Sequence, residues 1–303
     1  MAAIEANQVS FSYGGVSALR DLDLEVPDGA LYAMLGPNGS GKTTLLQILM
    51  GLRRARSGRA AVLGADSRRL STTDRARIAY VAEGQSLPSW MRLEELEAYL
   101  APLYPTWDRA LANQLRERFN LDPKRKISAF SRGGQMKAAL LCALAPRPRL
   151  LLMDEPFTGM DALVKDELVR GLLASAGSEG WTVLLCSHDI GELELLADWV
   201  GFLAEGKMRL SEPLDLLYQR FKRVDVRLNA SDGVADEYLP NDWLSVEQGN
   251  GRLSFLSSRA DVDAELAQRF PPTAEVTVRA ATLREIFLAL ARESELLQRR
   301  SAA

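Results

Sequence analysis

The sequence predicts an α/β fold with a parallel sheet at its centre, followed by a smaller α+β region. Three uninterrupted apolar runs, at residues 31–35, 150–153 and 181–186, have the length of buried strands. Helical patterns lie between them, and glycines or polar residues follow each run. Since α/β proteins bind ligands at the carboxyl ends of such strands, the residues after these runs are the first candidates for a functional site.

The first elements are two strands within residues 4–26, where Val9, Phe11 and Tyr13 alternate with polar residues and Gly14-Gly15 makes the turn. The strand at 31–35 leads to a helix at 44–50, which Gly51 is placed to end. Short strands are predicted at 58–63 and 78–81, with a polar loop at 82–88. Helical patterns then fill residues 93–119, broken by two prolines.

A loop rich in glycine and serine is predicted over residues 128–135, and it opens an apolar helix at 136–145. The strand at 150–153 follows, then a helix at 161–173 and the strand at 181–186. Beyond residue 212 the pattern changes. Strands are predicted around Val224 (from Phe221 to Leu228), at 253–256 and at 276–278. A capping box of Thr282 and Glu285 precedes a final amphipathic helix.

The segment between the first apolar run and its helix fits the pattern G-x-x-x-x-G-K-[ST]. Its residues are Gly36, Pro37, Asn38, Gly39, Ser40, Gly41, Lys42, Thr43 and Thr44. In such a P-loop the glycines let backbone N–H groups surround an anion, and the helix N-terminus adds positive charge. Lys42 is therefore expected to reach the β- and γ-phosphates of a nucleotide, and Thr43 to bind Mg²⁺. A chance glycine-rich turn is the alternative, but it does not explain the flanking strand and helix.

Two further groups of polar residues follow buried strands. Asp154 and Glu155 come directly after residues 150–153, and a carboxylate pair there suits a magnesium–nucleotide site. His188, the single histidine of the chain, follows the run at 181–186 and could hydrogen-bond a γ-phosphate. An ordinary strand-end turn would explain an isolated Asp-Glu pair, but a P-loop lies upstream of this one. A lone histidine is usually an ordinary surface or core residue, but this one again lies at the carboxyl end of a strand.

Composition excludes several classes of function. The 303 residues carry 37 basic and 40 acidic side chains, so the net charge is 37 − 40 = −3, and no global electrostatic case for nucleic-acid binding exists. The N-terminus does not resemble a signal peptide, and no apolar run approaches 18 residues. The two cysteines, Cys142 and Cys186, lie in apolar runs and are expected to be buried free thiols.

Together these residues resemble the nucleotide-binding subunit of an ATP-binding cassette (ABC) transporter, over roughly residues 4–210. The most specific element is Phe130-Ser131-Arg132-Gly133-Gly134, which takes the place of the family signature Leu-Ser-Gly-Gly-Gln. The resemblance implies that Tyr13 stacks on adenine, that Asp154 is the metal-side Walker B carboxylate and that Glu155 is the general base. It also implies that Thr158-Gly159-Met160-Asp161 is the D-loop and that His188 is the switch histidine.

The resemblance implies that two cassettes form a head-to-tail dimer, either homo- or heteromeric. This dimer binds ATP and Mg²⁺. Each nucleotide lies between one P-loop and the partner's signature loop (Ser131, Arg132, Gly133 and Gly134). The chain is then expected at the cytoplasmic face of the cell membrane, beside a separate integral membrane permease and without nucleic acid. The alternative is a soluble cassette ATPase that acts on ribosomes or DNA. Such proteins usually carry two cassettes or a long coiled coil, and here there is one P-loop and no heptad run.

The chain departs from the family pattern in two places. The signature has Arg132 where the family has glycine, and Gly134 where it has glutamine. In the Q-loop, ungapped counting puts Glu83 where the family has glutamine, while Gln85 lies two residues later; both stay candidates, and position favours Glu83. These departures resemble a bacterial branch whose cassettes serve separate membrane subunits in export.

The predicted domains are residues 1–212, an ATP-binding cassette of the P-loop NTPase class, and residues 213–303, an accessory α+β domain. Within the cassette, residues from about 88 to 147 form a helical subdomain, and in the family the groove beside its Q-loop receives a helix of the membrane subunit. The aromatic side chains there belong either to the subdomain core or to that interface, with Trp90 the better interface candidate: Trp90, Tyr99, Tyr104 and Trp107.

Overall fold

The computed structural model describes residues 1–194, 196–227, 240, 243–249, 251–259, 261–270 and 274–302. Within these ranges the side chains at 163, 172–179, 192–193, 263 and 294–302 are not described. The chain divides into two compact units, Met1–Ser211 and Glu212–Ala303. No helix in the described ranges has the length and apolar character needed to span a lipid bilayer.

The first unit contains ten strands among the described residues, and the range of the last one extends two residues past Ser211. They are β1 (Ala2–Tyr13), β2 (Val16–Pro27), β3 (Leu31–Leu35), β4 (Ser57–Val62), β5 (Ala65–Asp66), β6 (Ile78–Val81), β7 (Leu150–Asp154), β8 (Thr182–Ser187), β9 (Trp199–Ala204) and β10 (Lys207–Pro213). Its helices are α1 (Lys42–Leu49), α2 (Thr72–Ala76), α3 (Leu93–Leu100), α4 (Arg109–Arg118), α5 (Arg132–Leu144), α6 (Ala162–Glu179) and α7 (Ile190–Glu194).

A six-stranded sheet in the order β10-β9-β3-β8-β7-β6 forms the centre of this unit. The three apolar runs of the sequence become its middle strands, and β3 pairs in parallel with β8 and β8 with β7. Leu35 pairs with Ser187, and Asp154 pairs with Cys186. The carboxyl ends of β3, β7 and β8 therefore meet at one edge, as the sequence predicts.

A second, antiparallel sheet in the order β2-β1-β4-β5 shares one hydrophobic core with the central sheet and α1. Side chains from three sources meet in it: Val9 from β1, Met34 from β3 and Leu45 from α1. This packing matters for the site, since it holds the P-loop helix between the two sheets. The strands β5, β9 and β10 and the helix α2 were not among the expected elements.

Two helix boundaries differ most from the expected ones. The glycine- and serine-rich loop was expected to extend to residue 135, but α5 begins at Arg132, because Ser131 caps it by accepting a hydrogen bond from Gly134 N at 3.2 Å. The helix α6 was expected to end at Leu173, yet it continues to Glu179. It ends before Gly180, whose φ of +66° is the left-handed conformation that terminates helices.

The second unit contains α8 (Leu214–Arg220), β11 (Lys222–Arg227), β12 (Trp243–Gly249), β13 (Arg252–Ser257), α9 (Asp263–Arg269), β14 (Glu275–Ala280) and α10 (Leu283–Ala302). Its sheet has the order β12-β13-β11-β14, with antiparallel pairs throughout. Its own core includes Val224, Trp243 and Phe255. The three strands and the capping box expected here are present, while Leu228 lies outside the described residues.

Candidate functional site

The P-loop follows β3 and opens α1, the context that the sequence predicts for it. Gly41 has a φ of +110°, and a Cβ at this position would lie 2.6 Å from the carbonyl oxygen of Ala18. Only glycine therefore allows the turn that aims the first N–H groups of α1 into the loop. Lys42 Nζ donates to the carbonyl oxygens of Gly36 (2.7 Å) and Pro37 (3.3 Å), so its ammonium group lies inside the loop.

The side chain of Glu155 contacts two other predicted site residues, Lys42 and His188. Its Oε1 lies 3.5 Å from Lys42 Nζ, and its Oε2 lies 2.7 Å from His188 Nδ1. The side chain of Glu155 is 10% exposed and that of His188 is 51% exposed, so the carboxylate is shielded while the imidazole reaches solvent. The backbone of Glu155 has a φ of +47°, and its N–H donates to the carbonyl of Cys186 at 2.9 Å.

Asp154 is the last residue of β7 and is almost completely buried. Burial raises the pKa of its carboxyl group above the usual range, the charges of Glu155 and Glu83 act in the same direction, and hydrogen bonding to Thr43 opposes them. A buried carboxylate next to the Thr43 hydroxyl matches the donor set that Mg²⁺ prefers.

Buried oxygen atoms without a protein hydrogen-bond partner lie in this site. They are Ser40 Oγ, Asp154 Oδ1 and Glu155 Oε1. Because a buried polar atom is normally satisfied, these atoms fit a site completed by phosphate groups and a metal ion. In the part of the chain that the structure describes, no three acidic, histidine or cysteine side chains converge to hold a metal by themselves.

The signature and D-loop residues lie against each other. Arg132 approaches the D-loop so closely that a Cβ on Gly159 would be 2.4 Å from Arg132 Nη1. Asp161 caps α6 by accepting from Val164 N at 3.0 Å. Among the hydrogen bonds and ion pairs of the described residues, none joins 131–134 to the P-loop.

Tyr13 lies at the end of β1, with its ring 42% exposed and its hydroxyl 3.3 Å from Thr44 Oγ1. The guanidinium carbon of Arg53 lies 4.7 Å from the ring centroid, a cation–π contact that the sequence analysis missed. The ring of Phe11 lies against Tyr13 as well, in a T-shaped arrangement with the centroids 4.9 Å apart. Arg53 and Phe11 therefore both contact the ring, part of which stays exposed. Nothing in the sequence near Arg53 signals this contact.

The two Q-loop candidates differ in what they contact. The side-chain oxygen of Gln85 accepts from Ala82 N at 3.1 Å, which uses it to close its own turn. Glu83 lies near enough to Asp154 for its charge to affect the pKa of that carboxyl group. Glu83 therefore lies within electrostatic range of Asp154, whereas the side-chain oxygen of Gln85 is used within its own turn.

A cavity of about 460 Å³ lies between the Q-loop and the helical subdomain. Its lining includes Gln85, Leu87, Tyr99, Tyr104 and Cys142. Two of the four aromatic side chains considered in the sequence are strongly exposed, Trp90 at 71% and Tyr99 at 60%. These two do not form a subdomain core, which leaves them available on the surface near the groove, whereas Tyr104 and Trp107 are partly buried.

Comparison with known proteins identifies the family. Residues 19–158 match the family described as ABC transporter. The sulfate/thiosulfate import ATP-binding protein CysA of Yersinia pseudotuberculosis is 35% identical over 215 residues, covering 68% of this chain and 59% of the relative. The chain thus spans about three fifths of that protein. The lantibiotic transport ATP-binding protein SrtF of Streptococcus pyogenes is 32% identical, covering 67% of this chain and 88% of the relative.

Solved structures agree with this assignment. One described as the ATP binding subunit of an ABC transporter has a TM-score of 0.65 and 27% identity, covering 72% of this chain and 92% of that one. A dimeric, post-hydrolysis cassette, MJ0796 bound to ADP and Pi, has a TM-score of 0.62 and 24% identity, covering 70% and 98% respectively, and shares the fold. The chain belongs to the ABC transporter family, among its ATP-binding cassette ATPases.

Proposed function

We propose that this chain binds Mg²⁺-ATP and hydrolyses it to power transport through a separate membrane protein. The observation that carries the proposal is the convergence of Lys42, Glu155 and His188, joined by contacts of 3.5 and 2.7 Å at the carboxyl edge of the central sheet. This arrangement places a cation, a shielded carboxylate and an imidazole around one point. Phosphoryl transfer requires such positioning and charge neutralisation.

In this mechanism Glu155 accepts a proton from the attacking water, and His188 holds the carboxylate through the 2.7 Å contact with Oε2. Lys42 exchanges its two backbone carbonyl partners for the β- and γ-phosphate oxygens. Thr43 and Asp154 would hold Mg²⁺, which supplies neutralisation of the phosphate charge. Tyr13 offers the exposed part of its ring to the adenine ring.

The signature loop acts on a second cassette in this proposal. Ser131 and the N-terminal amides of α5 form an anion-binding helix end, and they have no described bond to the P-loop of their own chain. A head-to-tail pair brings that helix end to the nucleotide of the partner cassette. The dimeric cassette of related fold supports this arrangement.

The groove beside the Q-loop supports a membrane partner. Exposed Tyr99 lines a cavity large enough to receive the side chains of a docking helix, and exposed Trp90 follows the lining residue Pro88 by two positions. We propose that a separate permease docks there, which places the chain at the cytoplasmic face of the membrane. For the direction we propose export, because Arg132 and Glu83 depart from the family pattern as export cassettes with separate membrane subunits do.

The test is a pull-down of tagged Glu155→Gln protein from detergent-solubilised cells of the source organism, with Mg²⁺-ATP present. This substitution removes the base but keeps the binding residues, so it should hold the closed dimer and its partners. The double variant Glu155→Gln, Trp90→Ala is the matched control, since it alters only the groove. Co-purification of a multi-span membrane protein, reduced in the control, is the expected result.

Recovery of ribosomes or nucleic acid in place of a membrane protein would reject the transport proposal. Vesicles that contain the recovered pair then test direction. Uptake of substrate into vesicles whose cassettes face outward corresponds to export from the cell, and the opposite movement would overturn that part of the proposal.

A further inference from the structure

The strand β14 forms one edge of the sheet in the second unit, and among the described strands only β11 pairs with it. Its six residues match β11 in continuous register without a bulge. Five of the six are exposed, and Val276 is 37% exposed. An edge of this kind offers a row of free backbone N–H and C=O groups to another strand.

The opposite edge of the same sheet is different. The strand β12 has a register shift between Leu244 and Glu247, and Ser245 has a φ of +47°. Irregularities of this kind disrupt an edge and prevent pairing with another chain. The strand β14 has no bulge, proline or lysine. Its edge therefore lacks the irregularity that obstructs pairing along β12.

The hydrogen-bond pattern shows which residues of β14 face outward. Ala281 N donates to the carbonyl of Phe221 at 3.1 Å, in the same register in which Lys222 pairs with Ala280. Because bonding groups alternate along an antiparallel strand, Glu275, Thr277 and Arg279 point their backbone groups toward β11. Val276 and Val278 therefore direct their N–H and C=O groups away from the sheet.

Two side chains of opposite charge lie at equal distances on either side of Thr277 in β14. Glu275 lies two residues before it and Arg279 two residues after, on the same face of the strand. An antiparallel copy centred on Thr277 would set each Glu275 opposite Arg279 of the other copy, and Val276 opposite Val278. Opposite charges and apolar residues in such positions stabilise paired strands.

Both charged residues already belong to ion pairs inside the chain, Glu275 with Arg227 at 2.9 Å and Arg279 with Glu285. Their side chains are nevertheless 67% and 48% exposed, so each can accept a second partner. A symmetric copy would join the pairs into a network of alternating sign. Glu275 of each copy then contacts Arg279 of the other, as a two-fold interface requires.

We propose that β14 is a dimerisation strand, which pairs antiparallel with β14 of a second copy of this chain about a two-fold axis at Thr277. The two four-stranded sheets then form one continuous sheet, with main-chain bonds between Val276 of one copy and Val278 of the other. This interface is separate from the nucleotide-dependent contact of the cassettes. It requires no nucleotide.

Register-specific cross-linking in the full chain without nucleotide tests this proposal. Thr277→Cys places two thiols opposite each other in a non-hydrogen-bonded pair, where Cα atoms lie about 4.5 Å apart, within the range of a disulfide. Val278→Cys is the matched control, because two copies of residue 278 would be about 8 Å apart. Under mild oxidation, Thr277→Cys should form a disulfide dimer, while Val278→Cys and the wild type, with its two native cysteines, should not.

A second variant tests the main-chain bonds. Val276→Pro removes an outward N–H and leaves the bonds to β11 in place, so adding it to Thr277→Cys should slow cross-linking roughly tenfold, because two symmetric bonds are lost. Equal cross-linking of Thr277→Cys and Val278→Cys, or no dimer from Thr277→Cys, would overturn the proposal. A partner strand from another protein would also leave Thr277→Cys monomeric and count against it.

Discussion

Glu155 combines a strained backbone with a side chain held from both ends. A φ of +47° is uncommon for a residue other than glycine, and such conformations cost about 1–3 kcal/mol. The bond from Glu155 N to Cys186 O and the contacts with Lys42 and His188 stabilise it. These contacts hold the carboxylate in one orientation, and the function proposed above requires such positioning of a base.

Replacing Glu155 tests its role as the base. In Glu155→Gln the amide oxygen keeps the shape of the side chain but accepts a proton poorly, so turnover should fall by roughly two to four orders of magnitude. ATP affinity should stay within about threefold of wild type, because Lys42 and the P-loop amides are unchanged. Steady-state ATPase rates and nucleotide titration measure the two effects. Glu94→Gln, an exposed acid on α3, is the control, and near-normal turnover of Glu155→Gln would remove Glu155 from this role.

At the scale of elements, the signature loop depends on how α5 meets α6. Gly133 lies in the first turn of α5, and a Cβ there would be 2.7 Å from Val164 Cγ1 on α6. The two helices therefore approach closely only because residue 133 has no side chain. A contact of this kind links the signature loop to the helix that follows the D-loop.

Gly133→Ala tests that packing. It should destabilise the first unit by about 1–3 kcal/mol, as overpacking usually does, and Val164→Ala should relieve part of the loss. We expect the double variant to be about 1 kcal/mol more stable than the sum of the single effects predicts. Denaturant unfolding of the four proteins measures this, and strict additivity would mean that the helices adjust without strain.

Glu285, in the first turn of α10, should make the stability of the folded protein depend on pH. Hydrogen bonds from Arg279, with smaller contributions from Thr282, lower the pKa of Glu285 from 4.5 to about 2. Because the folded pKa lies below the unfolded one, this group adds stability above pH 4.5, and the contribution is lost as the pH falls from 4.5 toward 2.

Glu285→Gln should remove that contribution. We expect the variant to be less stable than wild type at pH 7. The difference should shrink as the pH falls toward 2, because Glu285 is then increasingly protonated and, like glutamine, uncharged. Thermal unfolding followed by circular dichroism at a series of pH values measures the difference. A difference that stays constant with pH would show that the ionised form of Glu285 does not act on stability.

At the scale of the whole molecule, the two units have separate cores. The core of the first unit joins two sheets and α1, while the second is built around Trp243, which stacks on Phe255 with ring centroids 3.6 Å apart. Among the described residues, these two clusters have no member in common. Separate cores predict separate responses to mutation.

Phe255→Ala is the test at this scale. Removing a fully buried phenylalanine should destabilise the second unit by about 3–5 kcal/mol, while the ATP affinity of the first unit stays within about twofold. Hydrogen exchange of the peptides around β12 and β13, together with nucleotide titration, measures both. A parallel loss of ATP binding would show that the units are coupled.

Much of the site could be predicted from the chain alone. The strand before Gly36, the glycine at position 41 and the carboxylates after β7 follow from burial patterns and backbone sterics, which act over a few residues. The same holds for the capping box of Thr282 and Glu285. Local patterns determine these features because each residue needs only its near neighbours to satisfy its backbone and bury its side chain.

Other features depended on packing between distant segments. The contact of His188 with Glu155 joins residues 33 positions apart, and the position of Arg53 over Tyr13 depends on how β1 lies beside the end of α1. The regular, exposed edge of β14 is of the same kind. No local pattern encodes these distances, because they arise only when whole elements are brought together by the burial of their apolar faces.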